Sequence, residues 1–303
     1  CSQCDLHQLN QKRSETMYFA LRTLTSLTHE NASAAEQMKC TYARNCYTSK
    51  AEGDTTTILG IDVLAKLLCK LEESQSLCSN KSSRTVVPSL KRATDHDMYR
   101  YDCTLFCLTT FANVIEGAGI RRVLIEIEVV LQSGSRVLWV EWLCQWLVHQ
   151  TDSFREEILS IGASGSNKNP NGVQNIAKPG NNSSNDTNNE HDKEFHKHEE
   201  EKLVAAGNGC VVLACLLTES DDDDPEFSIT VRKLIKNQMP LYKDGSPSGF
   251  ALIVNTLKAY CNYYQISMGQ VSFTVVAPVK KLIEELEDII KFEESAGRPS
   301  NLL

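Results

Sequence analysis

The first side chains in the chain with the means to do chemistry are Cys1, Cys4 and His7, spaced Cys-x-x-Cys-x-x-His. Thiolates two residues apart can grip one zinc ion, and an imidazole can serve beside them. A closed zinc site needs a fourth ligand, and no second pair stands nearby at a usual separation. These residues are therefore read as carrying no metal role, and no metal or other cofactor is expected. His191, His196 and His198 fall in the charge-dense stretch Glu190 to Glu201. They could hold a transition metal loosely, but a solvated polar segment is the simpler reading. A Cys–His nucleophile would need a partly exposed thiol of lowered pKa beside an imidazole. None of the 12 Cys sits in a Gly-flanked turn or at an obvious helix start. The phosphate-cradling Gly-x-x-x-x-Gly-Lys-Ser/Thr loop, the Gly-x-Gly-x-x-Gly turn, Gly-x-Ser-x-Gly and His-Glu-x-x-His are all missing from the sequence. The expectation is a protein without catalytic residues, whose work is interaction.

Composition points the same way. Lys and Arg number 31 against 39 Asp and Glu, a net charge of −8. That disfavours direct nucleic-acid binding or an anionic membrane as the driver of function. Most Cys lie inside apolar runs such as Cys103-Thr-Leu-Phe-Cys107 and Cys210-Val-Val-Leu-Ala-Cys215. There a thiol behaves as a small core side chain, so a reducing compartment, cytosol or nucleus, is expected. No apolar stretch is expected to span a membrane, because Gly207-Asn208-Gly209 interrupts the strongest one, Leu203 to Thr218. The chain opens on Cys1, not Met, and is expected to be a fragment.

The elements that would position an interaction surface are helices. Met17, Ala20, Leu21, Leu24 and Leu27 recur with the 3.6-residue period, and the run stops at Thr28-His29-Glu30-Asn31. Ile61, Leu64, Leu67, Leu68 and Leu71 form a second stripe, and Tyr101, Leu105, Leu108, Ala112 and Ile115 a third. Ile120, Val123, Leu124, Ile127 and Leu131 continue the period, and Ser133-Gly134-Ser135 then links to a helix carrying Trp139, Trp142 and Trp146. The three indoles share one face, which is the spacing of a core as well as of an aromatic docking surface, and core is the reading taken. Asp221 to Asp224 precede Pro225 as a cap and dipole partner for a further helix. Ser246-Pro247 opens the next, with Phe250, Ile253, Val254, Leu257, Cys261 and Tyr264 inward, and Pro278 opens the last. Val271 to Val276 alternates weakly and is read as a connector.

Helix pairs joined by short links predict an all-α chain, an irregular HEAT- or armadillo-like α-solenoid without an exact repeat period. Residues 164–200, dominated by Asn, Ser, Gly and charge, are expected to be a disordered insertion. They separate an N-terminal part, 1–163, from C-terminal repeats, 201–303, of the same domain. Ser74 to Arg84 is expected to be a loop.

Three segments carry a family resemblance. Tyr18 to Asn31, reading Tyr-Phe-Ala-Leu-Arg-Thr-Leu-Thr-Ser-Leu-Thr-His-Glu-Asn, resembles a HEAT helix in the C-terminal domain of the Wapl (wings apart-like) cohesin-release factor family. Leu105 to Glu116, ending Asn113-Val114-Ile115-Glu116, is similar to a second helix of that domain. Gly209 to Leu217, with the Phe250 to Tyr264 helix, looks like its closing repeats. The resemblance covers most of the chain outside the insertion. It implies a nuclear protein without an active site that works at sister chromatid cohesion. Its partners would be cohesin subunits (the ATPase head region and the kleisin and HEAT subunits) together with Pds5, and it would promote release of cohesin from chromatin. The chain departs from the animal pattern in lacking a Phe-Gly-Phe peptide, and its Asn-rich insertion points to a fungal version. On a solenoid, helix ends and turns line the docking faces. His29 and Glu30, with Arg121 and Arg122, are then the expected partner-binding residues, while Asn31 and Asn113 cap turns. A generic armadillo or HEAT scaffold or adaptor is the alternative, and it would show Trp and Asn at regular intervals; instead all three Trp cluster between positions 139 and 146.

Overall fold

A computed structural model describes residues 2–40, 42–43, 58–79, 95–118, 120–152, 189–218, 225–239 and 249–296. Ten α-helices and two two-stranded antiparallel ribbons appear among them, so the protein is all-α. The chain divides into two units, Cys1–Trp142 and Leu143–Leu303. The division falls inside a helix, whereas the sequence placed its break in the 164–200 insertion.

Unit 1 is built around one helix on which three others pack. Helices α1 (Ser2–Thr28), α2 (Ala32–Cys40) and α3 (Gly60–Ser79) all pack on α4 (Asp95–Ala118). The expected stripe of α4 lies to one side of the face that is buried. Leu108 and Ile115 are buried as expected, but Tyr101, Leu105 and Ala112 are half-buried, and Cys103, Cys107, Phe111 and Val114 complete the buried face instead. Helix α3 meets its expectation more simply, with Ile61, Leu64, Leu68 and Leu71 inward and Lys66 paired to Asp62 on the outside. It runs to Ser79, so the first part of the expected Ser74 to Arg84 loop is helical, and the remainder lies outside the described residues.

After α5 (Arg121–Glu126) comes a hairpin that the helical reading missed. Strands Glu128–Val130 and Arg136–Leu138 pair in the register Glu128 with Leu138, Val129 with Val137 and Val130 with Arg136. Ser133-Gly134-Ser135 is therefore a turn between strands. Gly134 has φ +83°, a conformation that L side chains rarely adopt, and its N–H donates to the Leu131 carbonyl. The α5 stripe fails past Ile127 because β-branched Val129 and Val130 fit an extended chain with Val129 inward and its neighbours outward. A second, shorter ribbon pairs Tyr42–Ala43 with Ile58–Leu59.

Helix α6 (Trp139–Thr151) holds the boundary. In unit 2, α7 (Asn189–Thr218) packs on α8 (Pro225–Gln238), α9 (Phe250–Met268) and α10 (Phe273–Ala296). The apolar half of α7 is the core of this unit, with Val204 to Ala206, Val212 to Ala214, Leu216 and Leu217 buried. Two corrections concern helix starts. Residues 189–200, assigned to the insertion, already belong to α7, and the acidic positions from Glu190 onward fall at a helix N-terminus, where negative charge is favoured. The rest of the insertion lies outside the described residues. The last helix starts at Phe273, so Pro278 stands inside it and the Phe273 to Val276 portion of the expected connector is helical. As the sixth residue of the helix Pro278 falls past the first four N–H groups that lack intrahelical acceptors, so its missing N–H costs the helix one bond of its ladder. Segment Glu199–Thr218 is long and apolar enough to cross a membrane, contrary to the sequence reading, but most of it is buried within unit 2.

Candidate docking surfaces

Each expected partner-binding residue has a definite place. His29 and Glu30 stand in the turn after α1, both strongly exposed, with the imidazole 4.0 Å from the carboxylate. Glu30 adopts φ +50°, the one non-glycine residue with a positive φ among those described. Its neighbour Asn31 accepts from the Ala34 N–H at 3.0 Å, which makes it the cap of α2, as expected. Arg122 is exposed, but Arg121 is only 3% exposed and cannot present its guanidinium to a partner. Its position on α5 points it inward because the six-residue helix places Arg121 and Leu124 on one buried face. The structure therefore keeps His29, Glu30 and Arg122 as surface residues and removes Arg121.

Asn113 is a cap of another kind. Its side-chain amide donates to the Thr25 carbonyl and to Thr28 Oγ1, both at 3.3 Å, and so closes the C-terminal turn of α1 from the neighbouring helix α4. Thr25 Oγ1 shares a 2.8 Å hydrogen bond with Thr110 Oγ1 and reaches the Phe106 carbonyl at 3.2 Å. Thr110 and Thr28 are buried, and in this way their hydroxyls are satisfied. The seam also holds Tyr18 edge-on to Phe106 at 5.5 Å between ring centroids. The segments Tyr18 to Asn31 and Leu105 to Glu116 are thus packed on each other.

The tryptophans are core. Trp139, Trp142 and Trp146 are all buried, and Trp139 lies 4.3 Å from the Phe111 ring. Sequence patterning was enough to place them inward. Among the described cysteines, Cys69, Cys103, Cys107, Cys144, Cys210 and Cys261 are buried and unbridged. Burial pushes the Cys103 thiol up to about 11, with the carboxylate of Asp102 adding to it. Burial raises Cys69, Cys107 and Cys210 further still. These are the opposite of activated nucleophiles. Among the described residues no group of three or more His, Cys, Asp or Glu is placed to hold a metal. The side chains of Cys1, Cys4 and His7, and those of Asp221 to Asp224, lie outside the described residues. On α8, Lys233 is exposed and Lys236 pairs with Glu293 of α10.

The sequence reading missed one surface. Where α9 turns into α10, through Gly269 at φ +57° and the 3₁₀ turn Gly269–Ser272, an open groove of about 890 Å³ forms. Gln265, Ser272, Phe273, Val276, Ala277, Lys280, Lys281 and Glu284 line it. Phe273 is 75% exposed, and Ile266 and Met268 on the α9 side are about half exposed. The available signal was the stretch between Lys258 and Lys280, which contains no charged residue at all. Exposed aromatic and aliphatic side chains gathered at one corner mark an interaction site more often than chance scatter does. No protein-family model, curated protein or solved structure matches this chain.

Proposed function

We propose that this chain is a cohesin-regulating module of the Wapl type, an irregular HEAT-like α-solenoid that acts in the nucleus. It promotes release of cohesin from chromatin through contacts with cohesin subunits and Pds5, without catalysis of its own. The observation that supports this reading best is the pairing of its telltale segments. Tyr18 to Thr28 and Leu105 to Glu116 are partners in one seam, tied by Thr25, Thr110 and Asn113. The Gly209 to Leu217 and Phe250 to Tyr264 segments belong to α7 and α9, which also pack on each other. Buried, alkaline-shifted thiols fit a protein that binds and does not turn over substrate. The test is a binding assay with purified chain, cohesin head and kleisin subunits, and Pds5, at low salt, where any electrostatic contribution is strongest. Saturable binding to at least one of them is expected. No binding to any would overturn the reading.

A further inference from the structure

The α9–α10 corner of unit 2 combines three features that a solvated surface has no need for. Phe273 opens α10 with three-quarters of its surface exposed and lines the groove, and Ile266 and Met268 near the end of α9 are about half exposed. The groove floor continues along Val276 and Ala277. The cations at its far edge are not equivalent. Lys281 has Glu285 at 3.5 Å, whereas Lys280 has no carboxylate within ion-pair distance among the described residues. The lining as a whole sets Lys280 and Lys281 against the single carboxylate of Glu284, a local excess of positive charge on a chain of net charge −8. An unpaired cation next to an unfilled apolar groove is complementary to one kind of ligand: an apolar anchor with a carboxylate following it.

We infer that this corner docks a short acidic segment of a partner protein, with one aromatic or aliphatic side chain against Phe273, Val276 and Ala277 and a carboxylate on Lys280. The apolar anchor supplies most of the affinity, and the charge sets orientation. A second copy of this chain is a poorer occupant, because two bodies of net charge −8 repel. This inference rests on the reading of the chain as an interaction module, but its test uses no cohesin component, so the two can fail separately.

The probe is a fluorescein-labelled twelve-residue peptide with a central Phe-Leu pair flanked by Glu, against the same peptide with Lys in place of Glu. Both are titrated into the full chain, and amide exchange is followed over residues 265–284. Saturable binding of the Glu peptide with slowed exchange at the corner is expected, and no saturation with the Lys peptide. Phe273→Ser should weaken binding on the order of thirtyfold, and Lys280→Glu roughly tenfold. Since Phe273 contributes little to the core, circular dichroism should show Phe273→Ser still folded, and Lys280→Glu, at an exposed position, gives an independent check. Equal binding of the two peptides, no saturation by the Glu peptide, or binding unaffected by both substitutions would overturn the proposal. So would concentration-dependent self-association in sedimentation that Phe273→Ser abolishes, since it would give the corner to a second copy.

Discussion

Where α1 meets α4, hydroxyls and an amide fill the seam; where α7 meets α9, the fit depends on side chains that are not there. In the first seam Thr25, Thr28, Thr110 and Asn113 link one helix to the carbonyls and hydroxyls of the other. Such bonds work only in one register, so they fix how far one helix may slide along its neighbour. In the second, Gly207 lies directly under the Tyr260 ring, and a Cβ built on it would stand 2.1 Å from Tyr260 Cδ2. On another side of α7, Gly209 lies similarly under the Trp146 ring of α6, where a Cβ would stand 2.7 Å from the nearest ring atom. Asn208 between them donates to the Val204 carbonyl and reaches the Tyr260 hydroxyl at 3.5 Å. The lesson is that a polar seam tolerates gradual weakening, while a seam of rings on bare backbone admits or rejects a substituent outright.

The sharpest way to break this contrast is Gly207→Val. Alanine would gain about 1 kcal/mol of helix propensity at such a site, but any Cβ here collides with a buried ring. Overpacking should lower stability by about 3 kcal/mol, read as a lower denaturant midpoint and faster amide exchange in α7 and α9. Exchange in α1 and α4 that rises equally would show the two seams unfolding together.

Alkali should act through buried thiols in both units, on α3 and α4 in one and at Cys210 of α7 in the other. Cys69, Cys103 and Cys107 ionise in the unfolded chain near the ordinary thiol value of 9.0, but burial raises each in the fold. Unfolding therefore releases protons above that pH. Their contribution is complete below about pH 9 and falls as pH rises toward the Cys103 value of about 11, by roughly 1 kcal/mol per pH unit for each thiol. Exchange in α4 measured at pH 8 and 10.5 checks the sign, and Cys107→Ala should flatten the dependence.

Asn113→Ala removes two hydrogen bonds from the end of α1 and leaves the Thr28 hydroxyl its own bonds to the Leu24 and Thr25 carbonyls. A loss of about 1–2 kcal/mol, confined to unit 1 in exchange, is expected. A Thr25→Val, Thr110→Val double-mutant cycle would show whether the ladder is cooperative. Smallest of all is Lys236→Ala. The ion pair with Glu293 is partly solvated on both sides, so the midpoint should move by less than about 1 kcal/mol and move less still in high salt.

The sequence made the all-α class and the inward faces of α3 and of the tryptophan helix legible, because each of those helices has one dominant buried side. Helix α4 was only half legible: its buried face runs through Cys103, Cys107, Phe111 and Val114 with Leu108 and Ile115, to one side of the stripe read through Tyr101, Leu105 and Ala112. The Glu128–Leu138 hairpin was hidden because Ile127 and Leu131 happen to continue a helical period that began at Ile120. Pro278 misled in another way, since proline opens helices often enough to pass for a start while standing inside one. Of the proposed surface, the turn residues His29 and Glu30 could be named from the sequence. Arg121 was misplaced, because a basic residue at a helix start reads as exposed until the tertiary fold covers it. The groove at the α9–α10 corner could not be seen at all, since Phe273 reads as core by type and only its position leaves it uncovered.

The contact of Gly207 with Tyr260 ties two distant positions into one unit of inheritance. A chain descended from the same ancestor could carry a methyl group at the first only after the second had given up its ring, and the intermediate with both would be penalised. Alanine at 207 should therefore be rescued by leucine at 260 and by little else, and comparison of related genomes would find the two sites changing in step or not changing at all.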